Sequence, residues 1–507
     1  MNQKKTRAAL SSLSNNKNVE SNESSEGLSR ERRKSLPNRR KKKQVRGTTL
    51  PPQSALDKLL GYYQSGDIVE AEKLAHSITQ QFPNHPFAWK VLGLSRARLS
   101  KLKDATLACQ RAVHLAPTDA EALNNLGTIF QAQDRMGDAE KAFKKAVKIN
   151  PQFSDALTNL GNLHQDIGQL RRAEACYRRS LELNPRGAIA HNNLGNILRK
   201  LGDFEGSKES FSSALSLNPG DEMILMNKWK LHFDSNDLVS ALRAADSCSS
   251  PLSRARAIET LFALGETKEI HKRLKIEALS KHQNLKIAAF GAFLANLEQS
   301  PNANRFCPDP INFIHRGNLS HYSKDSKSLI DQILRDLEKI ETNWQPPGKS
   351  TKNGFQTARH VNLFAEPQGS LKILSEIIMK ELDGFYTKYR SDRCLLIQEW
   401  PIRKKIWGWH VVLRQNGHQS AHIHDDGWIS GVIYLKLPPS ADGSEGAIQF
   451  SLDGEHYKHP SSPLRRILPE IGDIVLFPSS LYHQTIPFTS DSERIIVSFD
   501  LLPDSQI

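Results

Sequence analysis

The sequence predicts an α+β multidomain chain: an N-terminal all-α solenoid of helix pairs, followed by a double-stranded β-helix, the jelly-roll architecture. Three observations predict it. Pro83, Pro117, Pro151, Pro185 and Pro219 recur at one step of 34 residues. Residues 222–300 keep a helical pattern without that step. From about residue 310 short β-rich runs follow one another between turn residues. At 507 residues the chain is too long for one ordinary core, so two or three domains are expected.

Residues 1–50 come first. They hold 14 Lys/Arg and 4 Glu, which accounts for +10 of the net charge of +14 and leaves +4 for the remaining 457 residues. With few aromatic or branched side chains this segment cannot offset its ordering entropy, and it reads as a disordered basic tail. Its clusters, Arg30 to Lys34 and Arg39 to Arg46, suit an anionic surface or nucleic acid; a solvated tail is the plainer alternative. Nucleic acid is therefore an accessory partner at most. Cys109, Cys176, Cys248, Cys307 and Cys394 form no CxxC pair, so reduced thiols and a cytoplasmic setting are expected. No apolar run approaches a membrane span, and none of the N-terminal residues forms a secretory core.

The repeats occupy 52–221. Leu92–Gly93, Leu126–Gly127, Leu160–Gly161 and Leu194–Gly195 keep the proline step, as do Ala71, Ala105, Ala139 and Ala173, with Ser207 next. Small residues suit positions where two helices approach closely, and prolines close each unit because they cannot continue a helix. Phe143, Tyr177 and Phe211 share one large apolar position. This period, with these landmarks, resembles the tetratricopeptide repeat (TPR), and five units fit. The resemblance implies that the first helix of each unit lines a concave groove. Asn125, Asn159 and Asn193 recur on it, and their amides could hold the backbone of a polypeptide partner or only bridge neighbouring helices.

Residues 222–300 read as divergent helices (Leu238–Ala245, Ala255–Leu264, Leu285–Leu297) that cap the solenoid. Pro301 to Pro310 reads as a linker to a domain at 310–507. There, helices are expected at Ser328–Glu341 and Ser370–Tyr389. Eight strands follow: Cys394–Trp400, Ile406–Leu413, Gln419–His424, Ile429–Leu437, Ala447–Leu452, Asp473–Phe477, His483–Ile486 and Arg494–Leu501.

His422 and His424 lie two residues apart on an extended segment, so both imidazoles point to one side and can reach one ion. His483 offers a third ligand, and Arg494 follows eleven residues later. These are the parts of an Fe(II)- and 2-oxoglutarate-dependent oxygenase, in which three side chains on one face leave positions for the 2-oxo acid and O2. Asp426 is the reserve ligand, since His424–Asp425–Asp426 also reads as HxD. Arg494 could clamp the distal carboxylate of 2-oxoglutarate through paired hydrogen bonds, or sit on the rim beside Glu493 or Asp491. His410, His418, His456 and His459 lack ligand-like spacing. Trp400, Trp407, Trp409 and Trp428 read as core packing.

The stretches Gly354–Thr357, Asn362–Phe364, His422–Ile423–His424 with Gly427 to Tyr434, Leu476–Ser479 with His483, and Arg494 with Phe499–Asp500 resemble the 2OG-Fe(II) oxygenases that carry N-terminal tetratricopeptide repeats. The resemblance implies a cupin-like fold, His422, His424 and His483 as the iron ligands in preference to Asp426, and Arg494 as the clamp. It also implies a serine two residues beyond the clamp. Ile496 stands there, so Tyr434 or Ser498 would supply the hydroxyl. The implied activity is hydroxylation of a substrate, possibly a polypeptide held by the repeat groove; the alternative is a non-catalytic adaptor with a degenerate oxygenase domain.

Overall fold

The structure, a computed structural model, describes residues 50–280, 284–302, 304–346, 349–358, 360–439 and 443–504. The basic segment and the nucleic-acid role attached to it lie outside these residues, apart from Leu50. The chain divides into two compact units at Pro185/Arg186.

The first unit contains the helix pairs Gln53–Ser65 with Ile68–Gln81, Pro86–Arg98 with Leu102–Leu115, Ala120–Ala132 with Met136–Ile149, and Ser154–Asp166 with Leu170–Leu183. The recurring glycine and the recurring large residue are two halves of one joint. A Cβ on Gly127 would lie 2.6 Å from the Phe143 ring, and one on Gly161 would lie 2.6 Å from Tyr177. The bare helix surface is the socket for the ring on the paired helix, and both rings are fully buried. Asp119 caps its helix by accepting from the Ala122 amide at 2.9 Å.

The second unit opens with Ala188–Lys200 and Phe204–Leu217, where Gly195 and Phe211 repeat the socket with a Cβ-to-ring distance of 2.8 Å. Helices Glu222–Asp234, Leu238–Asp246, Pro251–Leu264, Thr267–Glu277 and Leu285–Glu298 follow. The last of these do more than cap a solenoid. Ile258, Leu261, Phe290 and Phe293 share one apolar cluster with Phe450, Tyr457 and Tyr482 of the β-domain. Arg256 stacks on Trp229 at 4.6 Å and pairs with Glu259 at 2.7 Å and Glu455 at 3.1 Å.

Ten strands are described: β1 His315–Asn318, β2 Thr342–Trp344, β3 Thr351–Thr357, β4 Ile406–Gln419, β5 Ile429–Lys436, β6 Ile448–Ser451, β7 Leu464–Ile467, β8 Asp473–Pro478, β9 Tyr482–Thr485 and β10 Arg494–Leu501. They form two antiparallel sheets, ordered β1-β8-β5-β10-β4-β3-β2 and β7-β6-β9. Side chains alternate across the larger sheet. Ile433, Val497 and Phe499 pack under helices Ser326–Leu337 and Gly369–Tyr389 with Ile333, Leu374 and Phe385. Val432, Tyr434 and Ile496 face the other way, clustering with Ile448 and Phe450 of the smaller sheet.

Two expected strands differ. Cys394–Trp400 contains the short helix Leu395–Gln398. The Leu395 and Leu396 amides donate to the Arg305 and Phe306 carbonyls, so this segment pairs with the linker rather than with a sheet. Gln419–His424 is split: β4 runs on to Gln419, and His422 then makes a single bridge to His483. Strands β1, β2, β3 and β7 have no counterpart in the sequence reading, being short or polar. Among the described residues, no helix is long and apolar enough to cross a membrane.

Candidate metal centre

Two segments bring the histidines together. His422 and His424 lie on the segment between β4 and β5, and His483 lies on β9. The His422 and His483 backbones hydrogen-bond to each other in both directions at 3.1 Å. One ligand nitrogen from each of His422, His424 and His483 lies within 4.8 Å of the others. The ring centroids are 4.4 to 5.1 Å apart.

The partners of the opposite ring nitrogens fix which atoms are free. His422 Nδ1 lies 2.7 Å from the Ser420 carbonyl oxygen, His483 Nδ1 lies 3.2 Å from that of Leu481, and His424 Nδ1 lies 2.5 Å from Asp500 Oδ1. Carbonyl and carboxylate oxygens only accept, so each Nδ1 carries a proton and Nε2 is the atom left to face an ion. The Nε2 atoms of His422 and His424 face each other at 3.3 Å. At that distance either a proton or a cation lies between the two nitrogens, and the donor set fits a divalent metal. Burial, with the neighbouring His424, pushes His422 down to about 3. Burial and the two other imidazoles hold His483 well below its ordinary value. These two rings are therefore neutral at pH 7.

The residues around His424 were not singled out as site residues from sequence. Ser430 Oγ donates to Asp500 Oδ1 at 2.7 Å and lies 2.8 Å from Ser479 Oγ. A Cβ on Gly427 would meet Ser479 Oγ at 2.5 Å and Asp500 Cγ at 3.2 Å, so the glycine leaves room for this network. A signal existed for Asp500. Arg494, Ile496, Ser498 and Asp500 alternate along β10, so they share its inner face. Opposite them on β5, Ser430 pairs with Asp500 and Val432 with Ser498.

Arg494 is buried, and no acid among the described residues pairs with it. Its Nε donates to the Gly446 carbonyl at 3.2 Å, while its Nη1 is buried without a partner. Glu493, offered as a rim partner, lies instead 3.4 Å from Lys436. Burial lowers the basicity of Arg494. Its guanidinium lies 5.1 Å from the centre of the Tyr434 ring. Tyr434 is fully buried, and its hydroxyl, beside the Arg494 guanidinium, makes no hydrogen bond of ordinary geometry among the described residues. Burial pushes that phenol up to about 12.

The histidines, Arg494, Ile496 and Ser498 line one narrow cavity partly open to solvent. Trp409 also lines it, 5.5 Å from His424 between ring centroids, so it is not the plain core residue expected. Asp426 is exposed and is not among the grouped donors, and the adjacent Asp425 pairs with Lys286 at 2.8 Å. In the repeats, Asn159 is buried and donates to Asn124 Oδ1 at 2.9 Å, which is the helix-bridging arrangement. Asn227 donates to Asn192 in the same way, again at 2.9 Å. Asn125 is buried with its Nδ2 unpartnered, and Asn193 is half-buried, 3.3 Å from the Asn192 amide nitrogen.

The comparisons agree with this architecture. The family described as "Putative 2OG-Fe(II) oxygenase" matches residues 408–500, and tetratricopeptide-repeat families match 56–120, 118–186 and 158–222. No curated protein matches the chain. Similar solved structures include that of pilF from Pseudomonas aeruginosa, at 19% identity over 41% of this chain and 97% of that one, TM-score 0.36. A tetratricopeptide repeat protein from Parabacteroides merdae ATCC 43184 is 19% identical over 44% and 90%, TM-score 0.36. YrrB, titled a TPR protein with an unusual peptide-binding site, is 18% identical over 38% and 97%, TM-score 0.30. The chain thus carries tetratricopeptide repeats in its N-terminal region and, at 408–500, a domain of the "Putative 2OG-Fe(II) oxygenase" family.

Proposed function

We propose that the protein is an Fe(II)- and 2-oxoglutarate-dependent dioxygenase that hydroxylates a polypeptide held by its repeats. One observation carries the reading: a buried arginine with no counter-ion among the described residues shares a cavity with three convergent imidazoles. A buried cation is costly alone, and a metal ion beside it would raise that cost. A dianionic ligand that chelates the metal at one end and meets Arg494 at the other relieves both.

In this reading His422, His424 and His483 hold the ion, and Arg494 grips the distal carboxylate with Ser498 or Tyr434 beside it. Bound there, Fe(II) with 2-oxoglutarate and O2 supplies oxidative decarboxylation coupled to hydroxylation of a C–H bond. Asp500 keeps the proton on His424 Nδ1 and so keeps Nε2 aimed at the metal. Val432, Ile448 and Ile496 limit water in the cavity, and Trp409 gives an aromatic wall on which a substrate side chain can rest. For the repeats, the Asn159 amide is engaged with Asn124 and Asn125 is buried, so of the three recurring asparagines half-buried Asn193 is the candidate contact with a polypeptide backbone.

The full chain with Fe(II), ascorbate and carboxyl-labelled 2-oxoglutarate is expected to release labelled CO2. Arg494→Lys loses the paired donors, and the KM for 2-oxoglutarate should rise roughly tenfold to a hundredfold. Stoichiometric iron without any 2-oxoglutarate binding would sink the proposal and favour the non-catalytic adaptor.

A further inference from the structure

Strand β7 is the free edge of the smaller sheet, and β1 is an edge of the larger one. Between them opens a cleft lined by Ile314, Arg316, Arg465, Arg466, Ile467 and Leu468. Leu464, Leu468 and Ile471 expose 58, 47 and 56% of their surface along this edge, where exposed apolar side chains invite another chain. Arg316 is neutralised by Asp473 at 2.7 Å and Glu470 at 3.1 Å. Arg465 and Arg466 are not. Their partners are neutral, the Ile311 carbonyl at 3.3 Å and Gln449 Oε1 at 2.7 Å, and no acid among the described residues pairs with either.

The edge therefore reads apolar, cationic, cationic, apolar over Leu464–Arg465–Arg466–Ile467. The register alternates the two arginines across the sheet, Arg465 opposite Phe450 on the inner face and Arg466 opposite Gln449 on the outer. We propose that β7 is a docking edge for an extended segment of a partner polypeptide with the pattern apolar–acidic–acidic–apolar. Such a segment joins the sheet through backbone hydrogen bonds and sets one carboxylate against each arginine. Charge excludes two other occupants. A second copy related by two-fold symmetry, paired about the middle of this strand, would bring Arg465 against Arg465 or Arg466 against Arg466, like charges directly opposite. The chain's own N-terminal segment is basic.

The test uses the full chain and short fluorescein-labelled peptides centred on Val-Asp-Glu-Val, followed by anisotropy. The acidic peptide should bind, and its Val-Lys-Lys-Val counterpart should not. Double substitution Arg465→Glu with Arg466→Glu should weaken the acidic peptide at least about tenfold and gain the lysine peptide, a charge swap that a misfolded variant cannot give. An acidic peptide N-methylated at alternate residues should fail on the unaltered chain. Equal binding of the methylated peptide would overturn the strand-addition claim, as would an acidic peptide indifferent to the charge reversal. A dimer that dissociates in the double variant would assign the edge to a second copy instead.

Discussion

Asp500 shows how one residue sets the chemistry of another. Its carboxylate accepts from His424 Nδ1 and from Ser430, so the ring presents Nε2 to the cavity. Asp500→Asn can turn an amide N–H toward that ring, and metal affinity should fall about 10- to 100-fold. Co(II) titration of the full chain checks this; unchanged affinity would remove Asp500 from the site. The same titration with Asp426→Ala should match the parent protein. Parity along β10 from Arg494 makes Asp500 legible in the sequence, whereas Ser479 becomes visible only when β8 and the Gly427 turn meet. His410 makes a separate point. Burial pushes it from 6.5 down to about 4, with Thr357 Oγ1 2.8 Å from its Nδ1. The folded ring stays neutral where the unfolded ring takes a proton. Its contribution to stability is therefore complete above about pH 6.5 and is lost as the pH falls toward about 4. Denaturant midpoints measured across that window should drop for the parent protein and drop less for His410→Gln.

Among the elements, the repeat helix pair follows most directly from its sequence. Gly127 and Phe143 are local partners, so their contact needs no distant part of the chain. Gly127→Ala places a methyl against the ring and should cost about 1–3 kcal/mol by overpacking. Adding Phe143→Leu should recover part of that loss, as read by urea unfolding of the full chain; no recovery would mean that the glycine serves something other than the socket. The strands divide by the same logic. Strands β5, β8 and β10 are almost wholly buried and are rich in apolar, mostly β-branched residues. β7 is exposed and β2 half-polar, so neither carries an apolar signature. Cys394–Trp400 has apolar content suited to a strand, yet its partners at Arg305 and Phe306 lie far back in the chain, and a local window cannot register them.

At the scale of the molecule, the β-domain does not end at its linker. Phe290 and Phe293 lie 5.0 and 4.7 Å from Tyr457, and Ile258 and Leu261 join the same cluster. A fragment starting at residue 310 would leave that surface bare. It should aggregate or bind a hydrophobic dye, whereas one starting at residue 186 should stay soluble and bind Co(II) like the full chain. A well-behaved 310–507 fragment would show that the connector helices are dispensable. By itself the sequence determined the repeat period, the helix pairs, the buried strands and the identity of three histidines and an arginine. Each of these is written in local spacing, because helices and strands alternate their faces at fixed periods. Only the tertiary structure decided that the three imidazoles converge, that Asp500 and Ser430 orient one of them, that Arg494 meets no counter-ion among the described residues, and that Asn159 is spent on its neighbouring helix. Those are contacts between segments tens of residues apart, and packing, not periodicity, brings them together.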